Sequence, residues 1–185
     1  MLNIQEDKWT LTNIIIGITI ALYLVQTNVF TYGPLLMGLN IYFTEAGFLW
    51  QPLTSMFAHG GLGHLAMNMF VLYQFGNLIE KYRGKKELAI IYFVGGVLTS
   101  LLSYLYIYYL DHQVNLVGAS GAICVLLGYI AYFDKYQRKG IITWILIISV
   151  APLLIGLPIA WYAHFIGLGL GFVFGIIRKR TLINR

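Results

Sequence analysis

Long apolar runs alternate along this chain with short polar stretches, and the charged residues gather at the ends of the runs rather than within them. An α-helix needs about 17–25 apolar residues to cross the hydrocarbon core of a bilayer. Six runs approach or reach that length. They are residues 11–29, from just after the glycines at 60, 61 and 63 to residue 79, 88–110, 118–133, 141–154, and 159–177 after Pro158. The pattern predicts an all-α polytopic membrane protein with six transmembrane helices, the residues 1–185 forming one domain.

Composition strengthens this reading. Of the 185 residues 59% are hydrophobic and only 10% charged, with a mean hydropathy of +0.75, whereas a soluble domain carries about 25% charged residues. The net charge of +5 raises the question of nucleic acid, but the placement of the cations answers it. Lys8; Lys81, Arg83, Lys85 and Lys86; Lys135, Arg138 and Lys139; and Arg178, Lys179, Arg180 and Arg185 all fall on one side of the threading. That is the positive-inside pattern of a bilayer protein, not a phosphate-binding stripe. It predicts both termini in the cytoplasm. The N-terminus carries Glu6 and Asp7 and no Arg-rich transit peptide, which points to a bacterial plasma membrane. Cys124 is the single cysteine, so no internal disulfide forms.

The connection between the first two runs, residues 30–62, is long, apolar and aromatic. Its only charge is Glu45, and it carries Phe30, Tyr32, Tyr42, Phe43, Phe48 and Trp50, with Gly33-Pro34 and Pro52 as breakers. It reads either as an interfacial aromatic belt or as a structured element half sunk in the outer leaflet.

Polar groups at membrane depth usually face a cavity or a partner and are functional candidates by default. His64 and Asn68 on the second helix, Ser120 on the fourth and His164 on the sixth stand out. At about 1.5 Å per residue, counted from the cytoplasmic ends, Ser120 and His164 each stand roughly 20 Å up. Asn68 and His64 stand roughly 17 and 22 Å up. All four share one layer, and no acid falls in it. The fourth helix is too short to span, so a water-filled recess above Ser120 is the expected complement. Ser120 sits in Gly118-Ala119-Ser120-Gly121, where small residues let a substrate backbone approach, and in the first turn of a helix, whose free amides favour an anion. A serine beside a neutral histidine is the minimal acyl-transfer unit. His64, Asn68 and the Ser120 backbone N–H would then face the oxyanion.

These residues resemble the rhomboid family of intramembrane proteases. His64-Leu-Ala-Met-Asn68, Gly118-Ala-Ser120-Gly and Ala163-His164 followed by Gly167 and Gly171 occur on three helices in the family's order. The resemblance spans about residues 50–171 and implies a rhomboid-like six-helix bundle. It also implies a Ser120–His164 dyad with no third carboxylate, no cofactor, a site open to the outside, and substrates that are themselves transmembrane proteins in the lipid bilayer. By the same resemblance His59 lies outside the dyad, and the turn between helices 5 and 6 forms part of a mobile cap. Two positions depart from the pattern. Gln51 stands where bacterial members often have arginine. Cys124 stands where an aromatic residue commonly packs under the histidine ring, which leaves the base more loosely held.

Plainer readings apply elsewhere. Gly167 and Gly171, with Gly169 and Gly175, suit close helix packing, and Ser120 in isolation would suit a serine bonded to its own backbone. His59 reads as a structural hydrogen-bonder, His112 beside Asp111 as solvated, Glu80 as an ion pair with Lys81 and Arg83, and Cys124 as core filler. A zinc hydrolase would need Glu and His where Leu65 and Asn68 stand, so no metal is expected. A catalytically silent rhomboid-like protein that binds membrane clients is the alternative function, and the oligomeric state is left open.

Overall fold

The computed structural model describes residues 9–110, 113–156 and 159–183. Asp111, His112 and Pro158, together with Glu6, Asp7, Lys8 and Arg185, lie outside the described residues. Six long helices follow one another: α1 (Leu11–Asn28), α2 (Leu62–Arg83), α3 (Lys85–Leu110), α4 (Ser120–Phe133), α5 (Lys135–Leu154) and α6 (Trp161–Ile183). Among the described residues there is no strand, only an isolated bridge between Leu39 and Leu116. By length and hydropathy α1, α3, α5 and α6 can each cross a membrane. Leu24, Phe70, Leu105, Ile147 and Ile177 are among the large apolar side chains left exposed on their outer faces, as a lipid-facing surface requires. The chain is a helical membrane bundle.

Helix α4 is its axis. Every residue from Ala122 to Ala131 is buried, the signature of a helix that is hydrophobic all round. With 14 residues it is about 21 Å long, too short to cross alone, and it is screened from lipid by its neighbours. Glycines set the distance to α6. A Cβ on Gly128 would collide with the Leu168 carbonyl, one on Gly167 with the Gly121 carbonyl, and one on Gly171 with the Val125 carbonyl. The two backbones therefore touch, which small residues permit in membranes.

Most of the helices begin or end away from the positions that hydropathy suggests, and α6 runs on past residue 177 to Ile183. α2 runs on through Lys81 and Arg83 and turns into α3 at Gly84, whose φ of 88° suits glycine. α5 begins at Lys135 rather than near residue 141, because the Asp134 carboxylate accepts hydrogen bonds from the Tyr136 and Gln137 amides. Gly118, with φ 120°, lies outside α4, and Ala119 is the residue before its first turn.

Glu80 corrects its predicted pairing with Lys81 and Arg83. It is buried, and it accepts hydrogen bonds from the Leu11 amide at 2.8 Å and from the Thr12 amide and hydroxyl, both at 2.9 Å. A carboxylate from α2 thus caps α1, where the helix dipole favours negative charge. At the same end of the bundle Tyr129 donates to Glu87 at 2.6 Å, and Arg178 Nε stands 3.0 Å from the other Glu87 oxygen. α3, α4 and α6 meet there.

The connection between α1 and α2 is a structured element. Its short helices, Gly33–Met37, Tyr42–Glu45 and Gln51–Thr54, fold against the loop before α4. Leu39 and Leu116 exchange backbone bonds of 2.9 and 2.8 Å. The Asn40 amide group donates to Asn115 Oδ1 at 2.9 Å, and Asn115 donates to the Pro34 carbonyl at 2.9 Å. Gln51, fully buried, anchors it from within: its Nε2 donates to the Leu35 carbonyl at 3.2 Å and its Oε1 accepts from the Asn40 amide at 3.3 Å.

Candidate active site

Ser120 is the first residue of α4, and its position is fixed by what precedes it. The Gly118 amide donates to the Ser55 carbonyl at 2.9 Å, which ties the loop before the helix to the α1–α2 connection. The helix ladder starts at Ile123, whose amide donates to the Ala119 carbonyl at 2.9 Å, so the amides of the first turn precede it. His164 lies in the first turn of α6. It shares a face with Gly167, three residues on, and Gly167 is the residue pressed against the Gly121 backbone. The glycine contact therefore delivers the imidazole to the serine: His164 Nε2 and Ser120 Oγ are 3.0 Å apart. His164 is buried and Ser120 partly so.

His64 and Asn68 come to the same spot from α2. A methyl group on Gly118 would lie 2.6 Å from His64 Cε1, 2.8 Å from His64 Nε2 and 3.7 Å from Asn68 Nδ2. The missing side chain of Gly118 is thus space that the His64 ring occupies, with Asn68 at contact distance beside it. Asn68 is buried and donates to the His64 carbonyl at 3.0 Å, while the His64 ring is exposed.

His59 stands behind His64, ring centroids 5.1 Å apart. Its backbone exchanges hydrogen bonds with the Gln26 side chain of α1, at 2.7 and 3.0 Å. Its Nδ1 is 3.1 Å from the Phe57 carbonyl, and its buried Nε2 has no protein partner. It joins the connection to α1. Cys124 is fully buried under the site.

The expected recess is small in this state. A cavity of about 10 Å³ adjoins Ser120, lined among others by Ser55, Thr99, Ser100 and Gly118, roughly the room one water needs. A larger concavity, about 690 Å³, lies at the other end between α2 and the α4–α5 turn, beside Arg83, Phe133 and Tyr136, and contains none of the four residues. Among the described residues no three His, Cys, Asp or Glu side chains converge as metal ligands do.

One contact was not foreseen. Ser149, in the second half of α5 and fully buried, places its Oγ 2.9 Å from His164 Nδ1. The depth rule that selects the other polar groups would select it too, once α5 starts at Lys135. Ser149 is then fourteen residues up its helix, about 21 Å.

A short central helix opening with a serine, a histidine from α6 in reach of it, and a histidine–asparagine pair one turn apart on α2 come together inside a helical membrane bundle. The Rhomboid domain family model matches residues 46–181, and the chain belongs to the rhomboid family. RHOMBOID-like protein 6, mitochondrial, of Arabidopsis thaliana is 35% identical over 138 residues, 69% of this chain and 43% of that protein. The chain thus spans less than half the length of this plant relative, and 34% of RHOMBOID-like protein 4 from the same plant. Rhomboid protease GlpG of Haemophilus influenzae is 24% identical over 197 residues, covering 100% of this chain and 98% of that one.

Proposed function

We infer that this protein is an intramembrane serine endopeptidase that cleaves transmembrane proteins in or beside their spanning helices, with residues 1–185 acting as one domain. The observation that carries this reading is the 3.0 Å approach of His164 Nε2 to Ser120 Oγ, the distance a nucleophile and its base require. The likeness to a protein named a rhomboid protease along almost the whole of both chains supports it.

In the reaction, Ser120 Oγ attacks the scissile carbonyl carbon while its proton passes to His164 Nε2. The oxyanion faces the Ser120 amide and the His64 and Asn68 side chains. His164 returns the proton to the leaving amine as the C–N bond breaks, which leaves an acyl ester on Ser120. Water then attacks that ester, its proton taken by His164, and the serine is regenerated. Gly118, Ala119 and Gly121 leave room for a substrate strand, and Gly167 and Gly171 hold α6 in place. A substrate helix must unwind locally to offer its carbonyl, since helical backbone groups are already bonded. The protein sits in a plasma membrane, bacterial in type, with both termini cytoplasmic and the site facing outward.

The test uses purified protein in liposomes with a labelled single-span substrate. Wild type cleaves it, whereas Ser120→Ala and His164→Ala lose at least about a thousandfold in kcat, the scale on which dyad members act. Cleavage that survives both substitutions overturns the assignment. No cleavage by wild type, with no fluorophosphonate labelling of Ser120, supports the silent client-binding alternative instead.

A further inference from the structure

We propose that Ser149 is a positioning residue that completes the site from α5, its hydroxyl oxygen accepting a hydrogen bond from His164 Nδ1–H and so fixing the tautomer and ring orientation of the base. The proposal rests on the dyad reading above.

Three observations converge on it. First, the imidazole is held at both nitrogens: Nε2 lies 3.0 Å from Ser120 Oγ and Nδ1 lies 2.9 Å from Ser149 Oγ. To accept the Ser120 proton, Nε2 must carry a lone pair, so Nδ1 must carry the hydrogen. The Nδ1 partner must then be an acceptor, and Ser149 Oγ is one. Second, Ser149 is fully buried and His164 nearly so. An unmet Nδ1–H there would cost the desolvation of a donor, and the cost would grow when the ring becomes an imidazolium during the reaction. Third, the position four residues after Ser120 is Cys124, too small to brace an imidazole ring as an aromatic face would. The bracing comes instead from a hydroxyl on a different helix.

The site also sits at a telling place on α5. The buried residues of that helix are Ile141, Ile145 and Ser149, spaced by four along one narrow stripe. Ser149 ends the stripe, and Pro152, inside the helix three residues later, lacks the amide hydrogen for a helix bond. Besides the half-buried Trp144, α5 reaches the centre of the bundle by two isoleucines and one hydroxyl, and the hydroxyl is the part that touches His164.

The role is that of the third group in a nucleophile–base–orienter arrangement, filled by a neutral oxygen. No bond is made or broken at Ser149, and no proton needs to leave it.

Ser149→Ala and Ser149→Thr are compared with wild type in liposomes, with thermal unfolding in detergent as a folding control. The alanine variant lowers kcat by about tenfold to a hundredfold, the range that a hydrogen bond to a developing charge is worth, and leaves KM unchanged. Threonine, which keeps the hydroxyl, restores most of the rate. In ¹⁵N spectra of histidine-labelled protein, His164, assigned by its loss in His164→Ala, is protonated at Nδ1 in wild type and in Ser149→Thr, and becomes a mixture of tautomers in Ser149→Ala. Wild-type kcat in the alanine variant, or an unchanged tautomer, overturns the proposal. If the wild type itself fails to cleave, the function inferred above fails, and the tautomer spectra still decide the role of Ser149.

Discussion

At the scale of single residues, the site depends on an absence as much as on its reactive groups. Gly118 occupies a φ of 120° and leaves the volume into which the His64 ring packs. Gly118→Ala therefore imposes both backbone strain and a clash with an imidazole. It should destabilise the protein by about 1–3 kcal/mol and lower kcat by displacing His64. Unfolding midpoints and kinetics on the same preparation check this, and a fully active, undiminished variant contradicts it. Ser120 and His164 were legible in the sequence because short motifs surround them and because polar groups in apolar helices are few. Ser149 was not, for a geometric reason. Its height depends on where α5 starts, and the run of charge at Lys135, Arg138 and Lys139 reads as a turn unless Asp134 is recognised as a cap. Glu80 was misread for the opposite reason. Its sequence neighbours are cations, while its actual partners are backbone amides 68 and 69 residues away.

Among elements, α1 and α5 are the two that rest on few attachments. α1 is fixed at one end by Glu80 and near the other by the exchange between Gln26 and His59. Glu80→Ala leaves the first amides of α1 without their acceptor. It should cost about 1–3 kcal/mol, read as a lower unfolding temperature in detergent, while kcat well below that temperature stays within about twofold of wild type. A matching loss of kcat would mean that α1 bears on the dyad directly. The helices themselves were readable from hydropathy because a spanning run is long. Their ends were not, because interfacial charges continue a helix as readily as they stop it, and a cap or a glycine with positive φ decides. The folded connection between α1 and α2 is the element where aromatic content gave direction but no geometry. Its shape comes from Asn40, Gln51 and Asn115, three amides with no periodicity to betray them.

For the whole molecule, the distribution of charge sets orientation. On a Cys124→Ser background, single cysteines placed at Gln137 and at Gly47 should react from opposite faces with an impermeant maleimide in sealed, right-side-out vesicles. The label reaches residue 47 directly and residue 137 only after permeabilisation, as the cation asymmetry requires. Equal labelling from one face would refute the threading. The bundle is built around α4, whose residues from Ala122 to Ala131 are all buried, so the exposed apolar faces of the surrounding helices, α2 with Phe70 among them, bear the lipid contact instead.

The clasp between residues 34–55 and 115–118 and the late position of His164 also bear on when the site is complete during synthesis. Ser120 follows a loop that is hydrogen-bonded to a segment some 60–80 residues upstream. Its base follows 44 residues later, on the last helix. On the function proposed above, a chain that has made only α1 to α5 holds the nucleophile without its base, and the pair is complete only once α6 packs on the glycines of α4.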